Sequence, residues 1–167
     1  SGDEPLQHRD ACDAVRAAAR QSGVEEREVL DVEPNFAWGR LMEMSSNLSL
    51  FATSKLMELR LGNQKLGQEG SKALAQYAET LDNSDDILLI SMGKLDAKQQ
   101  KSAWFKALDK HGLFVPVWPV DVSRLGYWLR DRASLHGLQI DLEAARLLGE
   151  RTEGNLLAAD QELQKLA

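Results

Sequence analysis

The chain of 167 residues is 43% hydrophobic and 28% charged, a balance that supplies enough apolar material for a globular core. Its net charge of −6 argues against a nucleic-acid grip spread over the whole surface. No apolar run approaches the roughly 20 residues needed to span a bilayer.

Asp3 is placed to cap a first helix whose opening turn holds Glu4 and Pro5, and Gly23 supplies its stop. A chain that enters a helix this directly is expected to be preceded by a strand upstream of Ser1. Cys12 lies on this helix beside Ala11 and Ala14. It reads as a small packing residue, since no internal disulfide is possible and no His stands in an evident partner position. Residues 28–32 read as a short strand ended by Pro34, and Asn35 then starts a helix striped by Phe36, Leu41, Met42 and Met44. In "SKLMELRL" (54–61), Leu56, Glu58 and Arg60 alternate with Met57, Leu59 and Leu61, the mark of a strand. A glycine-rich loop leads to a helix over 71–81.

"DDILLISMG" (85–93) holds a continuous apolar run, the signature of a strand buried on both faces of a parallel sheet. A helix carrying Trp104, Phe105 and Leu108 runs to Gly112, and "LFVPVWP" (113–119) makes a last strand near an edge, because Pro116 cannot donate to a ladder. The alternation predicts an α/β domain of three layers around a parallel sheet over residues 1–119. From Asp121 onward the pattern is helical only. Segments 121–137, 141–154 and 155–167 each open on a capping Asp or Asn, and the first two end in glycine. They form a small all-α domain over 120–167. Its last segment ends without a cap, which is read as a chain that continues.

An α/β sheet followed by a small helical domain is the plan of the AAA+ ATPases, so phosphate-binding parts are sought first. The P-loop string G-x-x-x-x-G-K-[ST], whose backbone N–H groups and lysine would hold phosphates, does not occur. Gly2-Asp3-Glu4 offers two acids where a phosphate loop would end, and "DDILLISMG" carries its acids before the strand rather than after it. His8, His111 and His136 are scattered without metal-ligand spacing. Glu25-Glu26 and Asp85-Asp86 read as loop or cap acids, Lys94, Lys98 and Lys101 as a solvated helix face, and the four tryptophans chiefly as core. Neither a catalytic constellation nor a cofactor is expected.

"SSNLSLF" (45–51) places three large apolar residues in a short connection between helix and strand. They either fold into the core or are displayed to a partner. The start "SGDEPL", this stretch, "DDILLISMGKLDAKQQKSAWFKAL" (85–108) and "TEGNLLAADQELQKL" (152–166) resemble sequence blocks of the delta subunits of the bacterial DNA polymerase III clamp loader. The resemblance runs through nearly the whole chain. It implies an AAA+-like domain and a helical lid, a cytoplasmic subunit of the polymerase III holoenzyme with no catalysis of its own, and a collar domain beyond this chain.

The resemblance further implies that motor subunits' phosphate-sensing arginine is replaced here by Leu157, in Gly154-Asn155-Leu156-Leu157. It implies contact with the ring-shaped sliding clamp (beta subunit) through a loop of the form Gln-x-Leu/Met-Ser-Leu-Phe, matched by Ser46, Asn47, Leu48, Ser49, Leu50 and Phe51. Leu50 and Phe51 would enter an apolar pocket, with Leu48 as a third anchor. Ser46 departs from the family's glutamine and removes a long amide from the pocket rim, which bears on the strength of the contact. Other clamp-loader subunits are implied partners of the longer protein, while contact with DNA would be indirect or weak and contact with membrane is not expected. Two further readings stand beside this one: an active ATPase whose P-loop precedes Ser1, and an adaptor that buries the Ser-Leu-Phe segment.

Overall fold

A computed structural model describes residues 1–46, 54–81 and 84–167. The elements in chain order are α1 (Pro5–Gln21), β1 (Glu26–Asp31), α2 (Gly39–Ser46), β2 (Lys55–Gly62), α3 (Gly67–Ala78), β3 (Ile87–Met92), α4 (Ala97–Gln100), α5 (Ala103–Asp109), α6 (Val122–Leu135), α7 (Leu142–Arg151) and α8 (Leu156–Leu166). They fall into two compact units. Ser1–Asp3 and Gln7–Val117 make the first, and Glu4–Leu6 with Trp118–Ala167 make the second.

In the first unit the strands form a parallel sheet in the order β1-β2-β3, with Glu58 opposite Val29 on one side and Leu89 on the other. Side chains alternate across the pleat. Met57, Leu59 and Leu61 therefore join Leu41, Leu74, Tyr77 and Trp104 in one core, whereas Leu56 joins Ala19 and Val24 on the opposite face. The mixed α/β plan expected from the sequence is the one observed. A close approach locks α3 to the segment before α2. A Cβ on Gly70 would lie 2.4 Å from the Trp38 ring, so only glycine fits beneath the indole. Trp38 in turn stands edge-on to Phe36, with ring centroids 5.1 Å apart.

Several expectations are corrected. The helix begins at Gly39 rather than Asn35, because Asn35 adopts a left-handed φ of 66° after Pro34 and turns the chain first. The continuous apolar run of β3 is only half-buried from Ile87 to Ser91, while β2, which looked alternating, is buried from Lys55 to Leu59. The reason is position. β2 is flanked by strands on both sides, and beside β3 lies an apolar groove of about 460 Å³ bordered by Val15, Leu88, Ile90, Phe105 and Phe114. Residues 113–119 form no extended strand. A single parallel bridge joins Val117 to Gly2, with the Val117 N–H donating to the Ser1 carbonyl at 2.7 Å and the Gly2 N–H to Met92 at 3.2 Å. Asp3 does not cap α1; its carboxylate accepts the Lys94 N–H at 3.1 Å. Cys12 is buried, as expected of a packing residue, and burial pushes its thiol pKa up.

The second unit packs α6, α7 and α8 around Leu129, Ala145 and Ala159. Its caps follow the sequence signals closely. Asp121 accepts the Ser123 N–H at 2.8 Å, Asp141 the Ala144 N–H at 2.7 Å and Asn155 the Ala158 N–H at 3.1 Å. Gly137 and Gly154, with φ of 76° and 75°, follow α6 and α7. Asp160 is fully buried and is held by Arg132 Nε at 2.5 Å, His136 Nε2 at 2.8 Å and Gln164 Nε2 at 2.8 Å. Burial opposes its ionisation, but the Arg132 and His136 contacts outweigh burial and hold the carboxyl at about 2.

The first unit carries its own buried carboxylate. Glu58, 1% exposed in the middle of β2, accepts from Arg16 of α1, from Arg27 of β1 at 2.8 Å and from Arg60 at 2.9 Å. Burial raises its pKa, yet the three guanidinium groups bring it down from 4.5 to about 2. A carboxylate ionised more readily in the folded state stabilises fully above its unfolded pKa, and the contribution fades as pH falls. Stability should therefore decline between pH 4.5 and about 2, and Glu58→Gln should flatten that decline in urea titrations across the range. At neutral pH Glu58→Leu is expected to destabilise toward the lower end of roughly 3–5 kcal/mol, since the two half-exposed arginines can turn to water. An unchanged urea midpoint would contradict this account.

Candidate partner-binding site

Ser46 ends α2, and Asn47, Leu48, Ser49, Leu50 and Phe51 lie outside the described residues. What the structure describes is the pair of elements on either side. The incoming element is α2, whose Leu41 is buried in the sheet core with Met42 and Met44 packed against it. The outgoing element is β2, whose first residue, Lys55, pairs in register with Glu26 of β1.

Lys55 joins the two sides. Its side chain is buried, and Nζ donates to the carbonyl of Met44 in the last turn of α2. Glu28 Oε1 of β1 lies 3.6 Å from the same ammonium. Its backbone N–H donates to Asp86 Oδ1 at 2.9 Å, and the Asp86 N–H donates to Ser84 Oγ at 3.1 Å. The residues before the segment and after it are thus tied to each other and to the approach to β3. The sequence reading missed both partners. In the sequence Asp86 reads as a loop or cap acid, and Lys55 lies in a strand-like stretch whose alternation begins at Leu56. A buried lysine at a strand's first residue leaves no local signal, since its partner is eleven residues back.

The turn before α1, where the sequence is searched for a phosphate loop, is closely packed. Asp3 faces the backbone N–H of Lys94, and Gly2 presses on residue 117 so closely that a Cβ would meet the Val117 carbonyl oxygen at 2.1 Å. Leu157 sits partly buried in the first turn of α8, behind the Asn155 cap. Lys94, Lys98 and Lys101 are exposed. Of the tryptophans, Trp104 is buried whereas Trp118 is half-exposed. His136 ends α6 and reaches Asp160, a structural role. Among the described residues, no group of three His, Cys, Asp or Glu is placed to hold a metal ion, and no helix is long and apolar enough to cross a membrane.

Comparison with known proteins bears on this arrangement. The family described as DNA polymerase III, delta subunit, matches residues 1–117. The DNA polymerase III subunit delta of Escherichia coli K12 is 32% identical over 167 residues, covering 99% of this chain and 48% of its own length. That of Haemophilus influenzae is 27% identical over 168 residues, with the same coverage of 99% and 48%. The chain thus spans about half the length of these curated relatives. Among solved structures, the Bacillus subtilis DNA clamp loader delta protein superposes with a TM-score of 0.68 at 19% identity, over 99% of this chain and 50% of that one. At that identity the likeness concerns the fold.

Proposed function

The chain belongs to the DNA polymerase III delta-subunit family, and on that footing we propose that it binds the sliding clamp of DNA replication and favours its open form, without hydrolysing ATP itself. Family membership combined with Ser49-Leu50-Phe51 at the family's clamp-contact position carries this reading. Leu50 and Phe51 enter an apolar pocket on the clamp, Leu48 adds a third anchor, and Ser46, Asn47 and Ser49 complete the segment. No covalent step is needed. A protein that binds the open ring more tightly than the closed one shifts the equilibrium by that difference alone. Residues 1–119 act as the sheet domain and 120–167 as the lid of a longer cytoplasmic subunit, a division that the two compact units support. The other clamp-loader subunits join it through sequence beyond this region, and DNA contact here is indirect or weak.

Filling a pocket with a leucine and a phenylalanine contributes about 1.5–3 kcal/mol for each fully buried side chain. Leu50→Ala with Phe51→Ala should therefore weaken clamp binding by about a hundredfold or more, since ~1.4 kcal/mol is tenfold. Thermal stability should be nearly unchanged. If the segment were core instead, Phe51→Ala alone would cost about 3–5 kcal/mol of stability. Clamp titrations and melts on the double variant separate the two outcomes.

ATP should not bind appreciably. Asp3 would repel a phosphate at the turn before α1, and Leu157 offers it no donor. Calorimetry with ATP and Mg²⁺ on the full-length protein should give no saturable heat. Micromolar affinity would instead favour an active ATPase.

A further inference from the structure

β3 is the last strand of the sheet, with β2 on one side only. Its sequence suits a different position. Ile87, Leu88, Leu89 and Ile90 form the continuous apolar run of a strand enclosed in a parallel sheet, and an apolar edge left open invites pairing. Along this edge runs the groove of about 460 Å³, bordered by Ala11, Cys12 and Val15 of α1 and by Trp104, Phe105 and Leu108 of α5. The two helices pack on opposite faces of the sheet. A strand edge between two apolar walls has the shape and chemistry of a seat for one more strand.

Ser1 and Gly2 already stand at one end of that seat, bonded on both sides. The Gly2 N–H donates to the Met92 carbonyl at 3.2 Å. Opposite, the Ser1 amine donates to the Val115 carbonyl at 2.9 Å, and the Val117 N–H donates to the Ser1 carbonyl at 2.7 Å. Gly2 bridges Val117 in the parallel sense. Traced backward from Ser1, a chain that keeps this ladder enters the groove between β3 and residues 113–117.

From these contacts we propose that the segment immediately preceding Ser1 in the longer protein is a strand that fills the groove parallel to β3, making β3 an inner strand. The chain spans about half the length of its curated relatives, which leaves sequence outside it to supply this segment. The existing bonds set the register, since bonds in a parallel pair are evenly spaced. The first residue before Ser1 donates to the Ile90 carbonyl and accepts the Met92 N–H. The second accepts the Val115 N–H, and the third accepts the Ile90 N–H. Both faces of the segment meet apolar walls, so it is apolar at about five consecutive positions. The proposal stands whether or not the protein binds a clamp.

Amide exchange on the full-length protein tests it. The Ile90, Met92 and Val115 N–H groups should exchange at least about a hundredfold more slowly than exposed amides, at any protein concentration. Replacing the segment before Ser1 by alternating Gly and Ser should remove that protection. Fast exchange of these amides in the unsubstituted protein overturns the proposal, as does protection that survives the replacement. Protection that disappears on dilution, together with a dimer at high concentration, would seat a second copy in the groove and overturn it as well. Should the Gly-Ser variant fail to fold, Ala11→Phe decides. In a filled groove the added ring overpacks and lowers the urea midpoint, whereas an unchanged or raised midpoint means that the groove was open.

Discussion

Glu58 sits midway along the central strand of the sheet with almost no exposure, and an unanswered carboxylate there would be prohibitively costly. Three arginines answer it, each from a different element: Arg16 from α1, Arg27 from β1 and Arg60 from β2 itself. This one anion restricts three degrees of freedom at once. It sets the rotation of α1 about its axis, since only one face carries Arg16. It favours one register of β1 on β2, since a slip of one residue would carry Arg27 to the other face of the sheet. It also fixes which face of β2 meets α1, and therefore sends Met57, Leu59 and Leu61 into the larger core. The register that satisfies Glu58 is the one that puts Lys55 at the head of β2, opposite Glu26. Lys55 can then reach the end of α2.

The helical unit uses the same device independently. Asp160 of α8 is fully buried and gathers Arg132 and His136 from α6 and Gln164 from its own helix. α7 lies close against α6, where a Cβ on Gly149 would come within 3.0 Å of Leu125 and one on Gly126 within 3.0 Å of Arg146. Buried ion pairs stabilise less than their geometry suggests, because desolvation offsets most of the attraction. Their main effect here is selective. An arrangement that separates Asp160 from Arg132 strands two charges, whereas sliding apolar surfaces past each other would cost far less.

How much of this could be read in the chain depends on whether the decisive partner is local. Helix caps are local: Asp121, Asp141 and Asn155 each bond a backbone N–H two or three residues ahead, and each was legible. Burial is not local. The apolar run of β3 announced a strand but not its surroundings, and it is β2, with Lys55 and Glu58 in it, that lies deepest. An alternating pattern concealed this, because two charged residues at polar positions look solvated until Arg16, forty-two residues away, is placed beside one of them. Asn35 shows a smaller failure of the same kind, for the stripe that begins at Phe36 does not reveal the positive φ that delays the helix. The candidate clamp residues were legible only through resemblance to a family. Three apolar side chains in a connection carry no physical signal that separates display from burial.

On the proposed reading the function is made of binding, and this shapes what the fold must supply. An anchor on a slack tether would hold the clamp equally well in either of its states, and equal affinity shifts nothing however tight the grip. Only an anchor fixed relative to a rigid surface can make one ring geometry fit and the other strain. On the proposed reading, the affinity therefore resides in Leu50 and Phe51, whereas the capacity to discriminate open from closed resides in the frame behind them. That frame is α2 packed by Leu41 and β2 fixed by Glu58.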